Sequence, residues 1–428
     1  MTGASPARPL VRFIASGGIS NLGDGVAVLA WSWTASLLTR DPLLIALSAV
    51  ALRMPWVLFA LPAGIVSDRM DRRTLIIRVD ILRALAFAFV ALALWAALPL
   101  APPPDTGVSS GGAYAALLAS ALLVGMAEVF RDNAAQTMLP TLVPHERLES
   151  ANGRLWSVEL LGNSLAGPPL GALLVAASVP LPFAFNAVAY ALAALIVVGL
   201  APCAPPVREA PDWRAELAEG IRFLRNSPLL VVLAWVTGLW NLLFQMVSIA
   251  LVLHAQENLR LPPSTFGLVL GGAAIGGIAG AAAAERVIRA LGPARAAQWS
   301  LLATAPGCVA VALAPDAWTL GLTLAWFEAS GMIWNTVAVS TRQRIVPNAL
   351  LGRVNSAYRL LALGLMPVGL AVSGVVVRAA EPLTGRGAAL ALPFWVAAAG
   401  VAILTAACWR RLGAELSRRQ PGGREVAG

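Results

Sequence analysis

Apolar residues in this chain come in long, near-continuous runs separated by short polar breaks. A helix crosses the hydrocarbon core of a bilayer, about 30 Å thick, with about 20 mostly apolar residues. Twelve runs reach that length: 13–38, 43–66, 79–99, 113–139, 148–177, 181–201, 229–253, 264–284, 296–314, 318–341, 354–378 and 387–409. A transmembrane barrel would instead alternate in segments of about ten residues, and no such segments occur. The first run is too long for a signal peptide and continues past any plausible cleavage site, so it is read as retained. The pattern predicts an all-α integral membrane protein with twelve transmembrane helices in two six-helix bundles.

The breaks are short except at 202–228, which opens Pro-rich and continues as a short amphipathic helix from Trp213 to Leu224. The expected organisation is a first bundle over 1–203, a linker over 204–228, a second bundle over 229–409 and a tail over 410–428. A weak repeat relates the bundles. Val143, Pro144, Leu148 and Asn152 match Val346, Pro347, Leu351 and Asn355 at a constant offset of 203, each set entering the fifth span of its half. Parallel six-span repeats place a substrate cavity at their interface, near the membrane midplane.

Composition agrees with the pattern. Only 12% of residues are charged, against about 25% in soluble domains. Three cysteines in 428 residues exclude a disulfide scaffold. All 31 basic residues are Arg. They are scattered between apolar runs, which fits membrane topology and not a nucleic-acid face. With the N-terminus inside, the inner segments hold 25 Arg, Arg83 and Arg131 among them, and the outer segments hold Arg40, Arg260, Arg378 and Arg386. The positive-inside rule then places both termini in the cytoplasm. The absence of Lys fits a GC-rich bacterial genome, and hence a bacterial cytoplasmic membrane.

Between the second and third spans lies Gly64-Ile65-Val66-Ser67-Asp68-Arg69-Met70-Asp71-Arg72-Arg73-Thr74-Leu75. Gly64 permits close helix packing, Asp68 ends one helix where it can face the positive N-terminus of another, and Arg69, Arg72 and Arg73 are its available partners. The segment resembles the signature loop of the major facilitator superfamily, G-x-L-A-D-R-x-G-R-R-x-L, with Val66, Ser67 and Asp71 as departures. The resemblance implies a gating role for Gly64, Asp68, Arg69, Arg72 and Arg73, as a latch in the conformational cycle. Asn21 to Gly25, Leu139-Pro140, Ala151-Asn152 and Gly167-Pro168-Pro169-Leu170-Gly171 resemble the branch of enterobactin-type siderophore exporters and macrolide efflux pumps. Gly153, Gly162, Gly167-Pro168 and Gly171 approximate the Gly/Pro motif of drug–proton antiporters, with one spacing longer by a residue; the alternative is a packing role.

Ionisable side chains inside a bilayer are expensive and mark functional positions. At 1.5 Å per residue, Asp24, Glu128, Glu159 and Glu328 lie about 15–18 Å into their spans, near the middle. Polar residues recur at three- and four-residue steps, which puts each set on one helical face. These sets are Asn21 with Asp24; Glu128, Asp132 and Gln136; Asn152, Trp156, Glu159 and Asn163; Asn241, Gln245 and Ser248; and Glu328, Gly331 and Asn335. Four of them fall on spans 1, 4, 7 and 10, which the resemblance implies are cavity-lining. Trp240, Trp326 and Trp334 add an aromatic component suited to amphipathic substrates. Proton coupling requires a carboxyl that exchanges its proton near neutral pH. Glu328 and Glu159, with no cation in reach on their own helix, lead as carriers, followed by Glu128, which has Arg131 one turn away, and Asp24. The competing reading is structural pairing, Arg53 with Asp24, or Arg131 with Glu128 or Asp132.

No phosphate-binding loop, HExxH or CxxC motif occurs, so neither an ATPase, a metal site nor an enzyme is expected; no cofactor is expected, and the proton is the expected coupling ion. His145 and His254 are read as incidental, and Cys203, Cys308 and Cys408 as packing residues. The expected activity is export of small amphipathic molecules (drug, siderophore or secondary metabolite) by a monomeric carrier in a lipid bilayer, by alternating access in exchange for protons. A lipid flippase, an uptake carrier and a non-transporting sensor or scaffold are the alternatives.

Overall fold

The computed structural model describes residues 7–144, 147–202, 213–347 and 350–417, and every regular element among them is helical. His145 and Cys203 lie outside the described residues. The helices α1 (Ala7–Leu38), α2 (Pro42–Arg69), α3 (Arg72–Ala96) and α4 (Gly111–Leu142) form the first four spans. The fifth is α5 (Leu148–Glu159), a π-helical stretch (Leu160–Ala166) and α6 (Gly167–Ala177), and the sixth is α7 (Leu181–Val198). After the linker helix α8 (Trp213–Asn226), α9 (Pro228–Leu253) runs into a π-helical turn (His254–Asn258). α10 (Pro263–Leu313) supplies two spans, because Gly292 at φ 76°, ψ 157° breaks it. α11 (Ala317–Ile345), then α12 (Leu351–Gly364) with α13 (Met366–Thr384), then α14 (Arg386–Ser417) complete twelve.

Nine helices among the described residues are long and apolar enough to cross a membrane, the one over Pro263–Leu313 being double. α3 and α11 carry more polar residues, but their 25 and 29 residues extend about 38 and 44 Å at 1.5 Å per residue, enough to span. Short acceptor side chains start several helices. Asp41 accepts from Leu43 N, Asp71 from Thr74 N and Asp316 from Thr319 N, at 2.9, 2.7 and 2.8 Å. In the connection between α10 and α11, the Thr319 bond holds the exposed Asp316 carboxyl below its ordinary range.

The two repeat motifs build the same turn. Val143 and Val346 end their helices in extended backbone, as a residue before proline prefers. Pro144 O then accepts from Arg147 N, and Pro347 O from Leu350 N, both at 2.9 Å.

The chain divides into two compact units, Met1–Val207 with Ala255–Gly271, and Arg208–His254 with Gly272–Gly428. In the first, the fifth span crosses α1 at glycines. A Cβ on Gly167 would lie 2.4 Å from Gly25 Cα, and one on Gly25 would lie 2.6 Å from the carbonyls of Gly162 and Asn163. The Gly/Pro motif is therefore a backbone-to-backbone crossing. Pro168 and Pro169 lack the N–H groups that would bond the carbonyls four residues back, where the π-helical stretch lies. Gly153, the first glycine of that motif, and Gly64 both have open space at the Cβ position. The close packing expected at Gly64 is not found.

In the second unit, Gly276 and Gly280 pack against the backbone of Ala325 and Ala329 on α11. The linker helix α8 belongs to this unit. Gly220 packs on the Arg353 carbonyl, Glu219 pairs with Arg353, and Leu224 enters the core beside Leu229 and Val354.

Candidate functional site

In the first unit the mid-span charges gather around α3. Arg83, with a fully buried side chain, ion-pairs with Asp24 of α1. It also donates to the Tyr190 hydroxyl of α7 at 2.8 Å, and that hydroxyl donates to Asp24 Oδ1 at 2.6 Å. The guanidinium lies 4.0 Å from the centre of the Tyr190 ring, in cation–π range. One turn earlier on α3, Asp80 is fully buried, and its Oδ1 accepts from Arg131 Nε of α4 at 2.9 Å.

These pairs correct the sequence reading. Asp24 is bound by Arg83 and not by Arg53; Arg53 lies 4.0 Å from Glu128. Arg131 is bound by Asp80 and not by Glu128 or Asp132. Arg83 and Arg131 are buried mid-helix residues, not loop cations, which lowers the inner arginine count without reversing its asymmetry.

The remaining acids of this unit are less engaged. Asp132 is half-buried and Glu159 is exposed at the end of α5, next to the π-helical stretch. Neither has an ion pair or hydrogen bond among the described residues. The Asn21 amide donates to Gly17 O of its own helix at 2.8 Å, and Gln136 is exposed.

The loop read as a latch is divided between helix ends. Asp68 and Arg69 close α2, and the side chain of Asp68 lies outside the described residues. Arg69 is exposed, in the last turn of α2. Arg72 donates to Thr137 O of α4 at 3.0 Å, and Arg73 Nε to Val197 O of α7 at 3.3 Å. Both arginines thus bond backbone carbonyls inside their own unit, and Asp71 caps α3.

In the second unit Glu328 of α11 is half-buried. It packs beside Gly277 of α10, where an added Cβ would lie 3.7 Å from Glu328 Cβ. Among the described residues it has no ion pair or hydrogen bond. Trp240 of α9 stacks on Phe244 and Phe327 with centroids at 5.2 and 5.9 Å, and Phe244 stacks on Phe327 at 5.6 Å. The rim of Trp240 covers Gly331. The Asn241 amide donates to Ala362 O at 2.8 Å. Gln245 is half-buried and Asn335 exposed.

Two tryptophans do not line this aromatic cluster. Trp334 is 2% exposed within the core of the unit, its Nε1 donating to Thr237 Oγ1 at 3.3 Å. Trp326 donates to Ala303 O at 3.0 Å, and at about 100° per residue it points about 200° away from Glu328. His254 is buried edge-on to Phe394. Among the described residues no group of three or more His, Cys, Asp or Glu could hold a metal ion.

Sequence reasoning missed Asp80, Arg83, Tyr190, Phe244 and Phe327. The available signal was Asp80-x-x-Arg83, opposite charges one turn apart inside an apolar run.

The profile described as Major Facilitator Superfamily matches residues 13–368. The multidrug efflux pump Tap of Mycolicibacterium fortuitum is 25% identical over 403 residues, covering 90% of this chain and 93% of that protein. The enterobactin exporter EntS of Shigella boydii serotype 4 (strain Sb227) is 25% identical over 359 residues, covering 82% and 79%. Both match the exporter branch read from the sequence. Among solved structures, a mutant of the nucleoside transporter NupG aligns with TM-score 0.74 at 12% identity, covering 95% of this chain and 99% of that one. A bacterial homolog of the human lysosomal transporter Spinster aligns with TM-score 0.74 at 14% identity, covering 98% and 100%. At these identities the two structures bear on the fold alone.

Proposed function

Because the chain belongs to the major facilitator superfamily, we propose that this multi-pass membrane transporter exports small amphipathic molecules by alternating access, in exchange for protons. The observation that carries the reading is Glu328. It is a half-buried carboxyl near the middle of α11, with no ion pair or hydrogen bond among the described residues. Burying an ionisable group in a span without a partner is costly, and such groups mark ion and substrate pathways. Beside Glu328, the half-buried Trp240 and Phe244 of α9, stacked with the buried Phe327, offer aromatic surface to the apolar part of a substrate. The similarity to a multidrug efflux pump and to an enterobactin exporter supports outward transport.

Asp24 is the weakest of the carrier candidates, because Arg83 already neutralises it. Glu328 leads, with Glu159, Asp132 and Glu128 following. Asp68 with Arg69, Arg72 and Arg73 serves the conformational step and not substrate binding; Asp68→Asn should slow turnover while ligand affinity stays within a few fold. The carrier works as a monomer in the bacterial cytoplasmic membrane, with both termini inside, as the arginine asymmetry supports.

The test uses proteoliposomes with an imposed pH gradient and a panel of fluorescent amphipathic probes, from ethidium-like cations to a catecholate anion. Net movement of at least one probe, abolished by a protonophore, is expected. A panel without any transported probe, or transport untouched by the protonophore, would overturn the reading.

A further inference from the structure

We propose that Asp80 is a positioning residue: it holds Arg131 away from Glu128 and Asp132 on α4, so that Arg131 does not neutralise these two carboxyls and they can exchange protons. The inference rests on the proton-coupled reading above and adds to it a residue on α3, a helix with none of the polar stripes.

The order along α4 is Glu128, then Arg131 and Asp132. Residues three apart on a helix are neighbours, so the shortest path for the Arg131 guanidinium is back onto Glu128. The chain folds otherwise. Arg131 Nε donates to Asp80 Oδ1 at 2.9 Å, with side-chain exposures of 8% and 0%. Glu128 is left with Arg53 at 4.0 Å, and Arg53 is 40% exposed. Asp132 is left without an ion pair or hydrogen bond among the described residues. The other charges around these two acids are Asp24 of α1, Arg83 of α3 and Glu159 of α5; Arg83 is itself closed on Asp24.

Asp80 is poorly accounted for as a stabilising element. A buried ion pair often gains no more than well-packed apolar side chains would, because both charges lose their hydration. Asp80 makes one bond to Arg131, and its second oxygen, Oδ2, is buried with no hydrogen-bond partner. A half-satisfied buried carboxylate is costly. Its presence is explained if the gain lies elsewhere, in keeping a mobile guanidinium from capping the acids beside it. Glu128, Arg131 and Asp132 can then share one turn of α4 without neutralising one another.

Dicyclohexylcarbodiimide reports on this directly. It modifies protonated carboxyls in apolar surroundings and spares those held in ion pairs, and the adducts on Glu128 and Asp132 are read by peptide mass spectrometry of the full-length chain in detergent. Asp80→Asn releases Arg131, and the summed labelling of Glu128 and Asp132 should fall by about tenfold, the effect of one pK unit of pairing. Asp80→Asn/Arg131→Gln removes the released cation, and labelling should return to the wild-type level. Asp80→Glu keeps the pairing charge and should also label like wild type. Wild-type labelling in folded Asp80→Asn, or labelling of the double variant as low as that of the single one, would overturn the proposal. Should Asp80→Asn not be recovered folded, the double variant and Asp80→Glu decide, since lost labelling in either contradicts it. Labelling requires no transport. Its failure therefore leaves proton coupling standing, whereas protonophore-insensitive transport would remove the coupling and leave the labelling pattern intact.

Discussion

Arg83 of α3 is closed on Asp24 of α1, with Tyr190 of α7 bonded to both side chains. One fully buried guanidinium thus joins three helices of the first unit. Removing one partner of a buried pair strands the other charge, at a cost of about 3–5 kcal/mol. Asp24 is 20% exposed on its side chain, so the low end applies. Asp24→Asn and Arg83→Gln should each lower the thermal unfolding midpoint in detergent, and the double variant should recover most of the loss. Unchanged midpoints in both single variants would show that the pair does not hold the helices together.

The glycine crossing of α1 and the fifth span gives a contrast within one motif. An Ala Cβ at Gly167 would meet Gly25 Cα at 2.4 Å and Gly162 O at 2.6 Å, whereas nothing lies within 4 Å at Gly153. Overpacking of this kind costs about 1–3 kcal/mol. Gly→Ala in an open helix position gains about 0.5–1 kcal/mol. Gly167→Ala should therefore reduce the yield of monodisperse protein, and Gly153→Ala should preserve or raise it, as size-exclusion chromatography would show.

Asp71 departs from the superfamily signature and has a local task. Its carboxylate accepts from Thr74 N at 2.7 Å and from Thr74 Oγ1 at 2.6 Å, capping α3. Loss of such a cap costs about 0.5–2 kcal/mol when Ala replaces it and only a few tenths when Gly does. Thermal unfolding of Asp71→Ala and Asp71→Gly should follow that order. Equal midpoints would mean that the cap is not limiting.

The twelve spans were legible because length and continuity of apolar residues are one-dimensional signals. The breaks at Pro144 and Pro347 were legible for the same reason, since the residue before a proline is driven out of the helix. Partners were not legible. Arg131 is three residues from Glu128 and adjacent to Asp132, yet its bond is to Asp80 on another helix, a choice made by the packing of α3 on α4. Arg83 reads as a loop cation in the sequence because an arginine near a span end resembles inside charge; the acid that neutralises it is 59 residues away. Among the tryptophans, spacing alone did not separate the core from the polar face. Trp334 lies seven residues after Phe327, so the two share the face turned to α9, while Trp326 points away from it. Gly64 matched a signature without making the contact expected of it.

Glu328 carries the central claim, and charge-neutral substitution in the same proteoliposomes tests it most directly. Glu328→Gln keeps the shape of the side chain and removes its proton. With a probe that the wild-type carrier transports, two quantities are measured: net accumulation driven by a pH gradient, and exchange of labelled for unlabelled probe without a gradient. Net accumulation should fall to the level of protein-free vesicles while exchange continues, because exchange requires no net proton movement. Net accumulation by Glu328→Gln at the wild-type rate would contradict proton coupling at this residue.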